Sequence, residues 1–415
     1  MAAPLSKAPV MRSLDDHFRA NATQVLGRLR SSIEGVVYSV TKTLQNSRSL
    51  QNALGVDLNV SWQIFKLLGP IETLATITYV PAAVSVKKLL NLAKKRGVAA
   101  EALDEVNAAF AAFECLVAET TGDREQFENL VMSFSDSPES QQVGMQLRKA
   151  GFKTNVHFFG VAADTVAMAL MFHPGSGPNK VDFLNVRTVI GLRRMRASTD
   201  VVVERSKVSP ERTGRDDDFV LADALDPEAA KFHRAAVIPE FCSQPMLPLT
   251  TTVDEAGNVR TVLERCDLGV GQEVDITTGR IYRDTPLIFT PDGNAVFQGL
   301  VEIARPTRIQ VIDTFVHRPT WPNLKITSGV YAHLTSRNTM DAERTGVRLP
   351  CPEKLVYMGS GEDMLRISEA PRYPELVKYA CRKMNWSFED MDLYRIRLEY
   401  PLMDSNVLCR LESTV

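Results

Sequence analysis

Cysteine is scarce and scattered in this chain. Cys115, Cys242, Cys266, Cys351, Cys381 and Cys409 form no Cys-x-x-Cys pair and have no adjacent histidine, which argues against a zinc site or disulfide framework and for a reduced, cytoplasmic protein. Long apolar runs are missing as well. The nearest approach to the roughly 18 uninterrupted apolar residues of a membrane span is 156–172, and His157 and Asp164 break it. Residues 1–11 lack the apolar stretch of a secretory signal, so no membrane partner is expected. Phosphate-loop and nucleophile-elbow patterns are also wanting. The glycines of 173–177 come without the lysine and spacing that cradle a nucleotide, and 359–362 does not match Gly-x-Ser-x-Gly. His17, His157, His173, His233, His317 and His333 show no metal-ligand spacing, so neither a metal nor a cofactor is expected. No catalytic motif is recognisable, which leaves an enzyme as a minor alternative.

What is present is an ordinary globular composition, 44% hydrophobic and 24% charged, in 415 residues, enough for two or three domains with separate cores. The net charge of -2 hides a strong asymmetry. Residues 1–100 carry an excess of about eight positive charges, and 101–140 an excess of about nine negative ones. The first block suits a polyanion, with the second balancing it or forming a solvated face.

Hydrophobic spacing divides the chain. Leu14, Phe18, Ala22, Val25, Leu29, Ile33, Val36, Val40 and Leu44 recur at three and four residues, the stripe of one long helix with a cap at Ser13. That stripe packs on later helices or pairs two copies of the chain. Lys94-Lys95-Arg96 before Gly97 mark a helix end, Leu103, Val106, Phe110, Phe113 and Val117 a further helix, and Phe127 to Phe134 a short one. Polar residues 135–140 suggest a boundary, followed by a helix of about a dozen residues ending at Gly151. Beyond it, Val-, Ile-, Phe- and Thr-rich segments predict strands at 165–173, 183–192, 199–204, 258–264, 281–289, 295–303, 309–316, 394–400 and 406–412, with one amphipathic helix over 374–384. Residues 206–218, containing Asp216-Asp217-Asp218, read as an exposed acidic loop rather than a cation site. The expected class is α+β: an all-α domain over 1–135 and a β-rich mixed domain over 136–415.

One segment carries a functional pattern. From Ser49 to Leu67 the chain reads as helix, glycine turn at Gly55, and second helix, with Leu50, Leu54, Val56, Val60, Ile64, Leu67 and Leu68 facing inward. Over these residues it resembles the helix-turn-helix of bacterial transcriptional regulators. Gln51 stands where that family has a small residue, and the turn is about a residue longer. The resemblance implies a recognition helix presenting Asn59, Gln63 and Lys66, with Ser61 at its margin; Asn59 or Gln63 would pair with adenine, while Lys66, Lys42 and Arg48 would meet phosphates. Trp62 is expected in the core. A second candidate is Arg193-Arg194-Arg196 at a strand end, where guanidinium forks could clamp an anion or simply guard an edge.

The expected function is therefore a DNA-binding transcriptional regulator whose C-terminal domain senses or oligomerises. Its partners would be double-stranded DNA, a second copy of the chain, and an effector whose identity the sequence leaves open. The alternative is an interaction or assembly protein whose helical domain binds protein.

Overall fold

Local signals set the helical ends. The computed structural model describes residues 8–41, 44–135, 137–196, 198–207, 223–254, 258–264, 273–290, 293–321, 324–332, 334 and 347–413, with backbone alone for 8–15, 206 and 207. It divides into two compact units, Met1–Gln146 and Leu147–Val415.

The first unit is helical: α1 (Ala8–Val40), α2 (Ser47–Leu54), α3 (Leu58–Leu67), α4 (Ala83–Lys95), α5 (Ala100–Thr120), α6 (Arg124–Ser133) and the start of α7 (Pro138–Phe159). The first helix begins at Ala8, so Ser13 lies inside it rather than capping it; Pro9 fits that first turn, where no backbone N–H is needed. Ala22, Leu26, Leu29, Ile33, Val36 and Val37 are buried in one core with residues of α2 to α6, so the central part of the predicted stripe is used within the unit. At the rim of that contact Arg28 of α1 holds both carboxylate oxygens of Glu105 on α5, at 2.8 and 3.1 Å. The helix expected to stop at Gly151 continues through it to Phe159. Gly160, with φ 64°, supplies the left-handed exit instead, and the division between the units falls inside this helix.

The described residues of the second unit form three sheets together with short helices. In chain order it contains β1 (Val161–Pro174), β2 (Lys180–Arg194), β3 (Val201–Lys207), α8 (Pro227–His233), β4 (Leu249–Val253), β5 (Asn258–Leu263), β6 (Val274–Pro286), β7 (Ile288–Phe289) and β8 (Ala295–Glu302). It continues with β9 (Thr307–His317), β10 (Leu324–Ala332), β11 (Val347–Arg348), β12 (Val356–Gly359), α9 (Tyr373–Met384), β13 (Met391–Glu399) and β14 (Ser405–Ser413). The architecture is α+β, as expected. Six strands form one sheet in the order β12-β13-β9-β1-β2-β6, five form another as β11-β10-β14-β8-β7, and three form a small one as β3-β5-β4. Among the described residues all strand pairs are antiparallel except β1 with β9, where Val166 faces Gln310 and Met168 faces Ile312.

Alternation explains why β1 reads as a continuous apolar run. Its even-numbered Val166, Met168, Leu170 and Phe172 pack with Phe297 and Val301 of β8 and Val407, Cys409 and Leu411 of β14. Its odd-numbered Ala167, Ala169 and Met171 pack beneath Leu376, Val377 and Ala380 of α9. A strand covered on both faces needs apolar residues at every position. At one point the two sheets approach so closely that a Cβ on Gly299 would lie 2.5 Å from Leu170 Cδ1.

Candidate nucleic-acid interface

Capping fixes the segment that resembles a helix-turn-helix. Asn46 caps α2 reciprocally with Ser49, its side chain accepting from the Ser49 N–H at 2.9 Å while the Asn46 N–H donates back to the Ser49 hydroxyl at 3.2 Å. Gly55 ends the helix at φ 77°, a conformation that costs a residue with Cβ. Asp57 then caps α3 by accepting from the Val60 N–H at 2.9 Å. Leu50, Leu54, Val56, Val60, Ile64 and Leu67 are buried, and Leu68 partly so. Arg30 of α1 donates to the Gly69 carbonyl at 2.6 Å, tying down the exit of α3.

The outer side of α3 exposes Leu58, Asn59, Trp62 and Lys66, with Gln63 half-buried beside them. Two side chains depart from expectation. Ser61 is fully buried and its hydroxyl has no hydrogen-bond partner among the described residues, so it faces the core and cannot reach a ligand on the outer face. Trp62 is not core: it is 44% exposed and meets Tyr79 edge-on at 5.6 Å. Arg48 is exposed in the first turn of α2, and Lys42 lies outside the described residues.

Helix α4 adds basic groups that the sequence reading left unassigned to this site. Lys88 reaches Asp57 at 3.4 Å, and the Arg96 guanidinium lies 3.8 Å from the position of a Cβ on Gly55. Lys87, Lys94 and Lys95 on the same helix are exposed. Asp57 is held below the usual carboxylate range, chiefly by the Val60 N–H and also by Lys88, so it stays ionised. From Arg48 to Val98 the chain holds seven basic residues, Arg48, Lys66, Lys87, Lys88, Lys94, Lys95 and Arg96, against two acidic ones, Asp57 and Glu72. The signal for this grouping was the Lys-Lys-Arg run itself, which reads locally as a helix end and only in three dimensions as a neighbour of the turn.

No known protein family model matches the chain, and no curated protein matches it.

The arginines of 193–196 do not converge. Arg193 is spread between Asp164 at 2.5 Å and Glu273 at 2.9 Å, Arg194 is buried and donates to the Leu263 carbonyl at 3.0 Å, and Arg196 donates to the His157 carbonyl at 2.6 Å. Their guanidinium groups are thus engaged by three separate sets of internal acceptors, which speaks against a shared anion clamp. The acidic run Asp216-Asp217-Asp218 lies outside the described residues, as does most of the loop predicted around it; Ser206 and Lys207 belong to β3. Among the described residues no helix is long and apolar enough to cross a membrane.

Proposed function

We propose that the helical unit binds double-stranded DNA through the outer face of α3, and that the chain acts as a transcriptional regulator. The observation that carries this reading is the company kept by Asn59, Gln63 and Lys66: a short capped helix presents them, while Lys88 of α4 reaches its N-cap Asp57 and Arg96, just after α4, lies beside the turn glycine Gly55. Amide side chains suit adenine edges, and the surrounding cations suit phosphates. A helix of 10 residues reads few base pairs, so two copies on two half-sites complete the recognition. The β-rich unit is then the sensing or assembling part. Cys242, Cys381 and Cys409, buried as free thiols, favour a cytoplasmic setting. Fluorescence anisotropy of the full chain on random duplex, with Lys66→Ala and Arg96→Ala beside it, tests the proposal; weaker binding of both variants supports it.

A second reading rests on Leu58 and Trp62, 51% and 44% exposed on the same helix. These apolar side chains suit a protein partner, with the helical unit serving in an assembly. Trp62→Ala separates the two: it abolishes partner capture in the second reading and leaves duplex affinity within about twofold in the first.

A further inference from the structure

Inside the β-rich unit, apolar packing between the sheets gives way to charge. A cavity of about 220 Å³ is lined there by Asn185 and Arg187 of β2, Gln310 of β9, Arg205 of β3, and Glu302 and Arg305 around the end of β8. The register explains why these polar groups enter the interior. Asn185 and Arg187 stand opposite Leu170 and Met168 of β1, and Gln310 stands opposite Val166, so all three share the face whose other residues make the inter-sheet core.

Their partners are incomplete. Arg187 donates to the Val203 carbonyl, and Arg305 donates to the carbonyls of Val202 at 2.9 Å and Val203 at 3.1 Å. Among the described residues neither guanidinium has a carboxylate within ion-pair distance. The nearby Glu204 is bound by Arg280, both 8% exposed, and Glu302 lies 3.7 Å from Arg205 where both are about half exposed. Arg305 Nη1, Gln310 Nε2 and Asn185 Oδ1 are buried with no hydrogen-bond partner among the described residues. Burial, followed by the charges of Arg187 and Arg205, pushes Arg305 down to about 9. Buried polar groups in folded proteins are ordinarily paired, and buried cations ordinarily neutralised.

We propose that this cavity binds a compact oxyanion, a phosphate or carboxylate group on a small molecule, held by Arg187, Arg305 and Gln310, with a ligand hydroxyl or amine donating to Asn185. The anion supplies the countercharge that the described residues do not, and the guanidinium forks match its oxygens. Arg205 and Glu302, exposed at the rim, mark the entrance. A second cavity of about 210 Å³ shares Arg205 and Arg305 and continues toward Asp200 and Asp404, so Arg305 borders both spaces. The proposal stands independently of the nucleic-acid reading of the helical unit.

Thermal unfolding of the full chain with inorganic phosphate, glycerol 3-phosphate or citrate, each against sodium chloride of equal ionic strength, tests it. A bound anion raises the midpoint by about 3–5 °C at about a hundredfold its Kd. The phosphate and citrate arms distinguish phosphoryl from carboxylate ligands, and glycerol 3-phosphate outdoing inorganic phosphate supports the donor to Asn185. In Arg305→Met the shift falls below about a fifth of the wild-type value. Should that variant fail to fold, Gln310→Leu, which deletes a single amide, must show a reduced shift. No shift beyond chloride with any of the three anions, or equal shifts in a folded variant, overturns the proposal.

Discussion

Arg395 of β13 lies directly across from Asp313 of β9 and grips it through two hydrogen bonds of 2.7 Å each, one to each carboxylate oxygen. Asp313 is fully buried and the Arg395 side chain is 12% exposed, so the pair sits within the layer covered by α9. A third bond from Arg395, 3.0 Å to the Arg366 carbonyl, holds the segment leading into that helix. Removing one partner strands the other. Arg395→Met should cost about 3–5 kcal/mol in urea denaturation, and the double variant Arg395→Met with Asp313→Leu should recover much of that loss. Equal destabilisation by the single and double variants would contradict the ion-pair account.

Gly299→Ala tests the close approach of the two large sheets. The added methyl meets Leu170, which is 1% exposed and hemmed in by the inter-sheet core, so the sheets or the side chain must shift. A loss of about 1–3 kcal/mol is expected from thermal or urea unfolding. Leu170→Ala in the same background should return part of it by vacating the contested space.

Ser61→Ala distinguishes the sequence expectation from the structure. The hydroxyl is buried without a partner among the described residues, so its removal should leave stability unchanged or raise it by up to about 1 kcal/mol. Duplex affinity should be unaltered. A clear fall in affinity, with stability intact, would return Ser61 to the binding face.

How far the fold was legible depended on whether the signal was local. The glycine turn at Gly55 and the stripes of α1 and α3 follow from residue spacing, and β1, β2, β8 and β9 from apolar runs. Strands β4 and β10 were missed because Leu-Thr-Thr-Thr-Val and the Lys325- and Gly329-bearing sequence of β10 lack a dense apolar face. Gly151 misled because a helix interior tolerates glycine, and Gly160 was the one in the left-handed conformation. Ser61 lies only two residues from Asn59 and Gln63, yet helical geometry turns it to the opposite side. The approach of Arg96 to Gly55 joins α4 to the preceding turn, a relation that no window of sequence contains. Asn185, Arg187 and Gln310 did leave a trace, as polar breaks on the inward period of two strands.

A pH dependence follows from Glu369. Its carboxylate accepts from the Ser368 hydroxyl and from Arg397, both at 2.6 Å, and these bonds lower its pKa from 4.5 to about 2. Because the folded value is the depressed one, this stabilisation is present in full above about pH 4.5 and is lost as pH falls toward about 2. Arg397 is 39% exposed, so solvent screening reduces the contribution to roughly 1 kcal/mol. Glu369→Gln should flatten that part of the stability profile, with little effect of pH on the difference above neutrality.

The nucleic-acid reading meets its most direct test in the salt dependence of duplex binding. The full chain should bind random duplex with log K falling linearly with log salt, and Lys66→Ala should weaken binding and lower the slope by about one. Absence of duplex binding at low salt, or a slope and affinity unchanged by Lys66→Ala and Arg96→Ala together, would contradict the account.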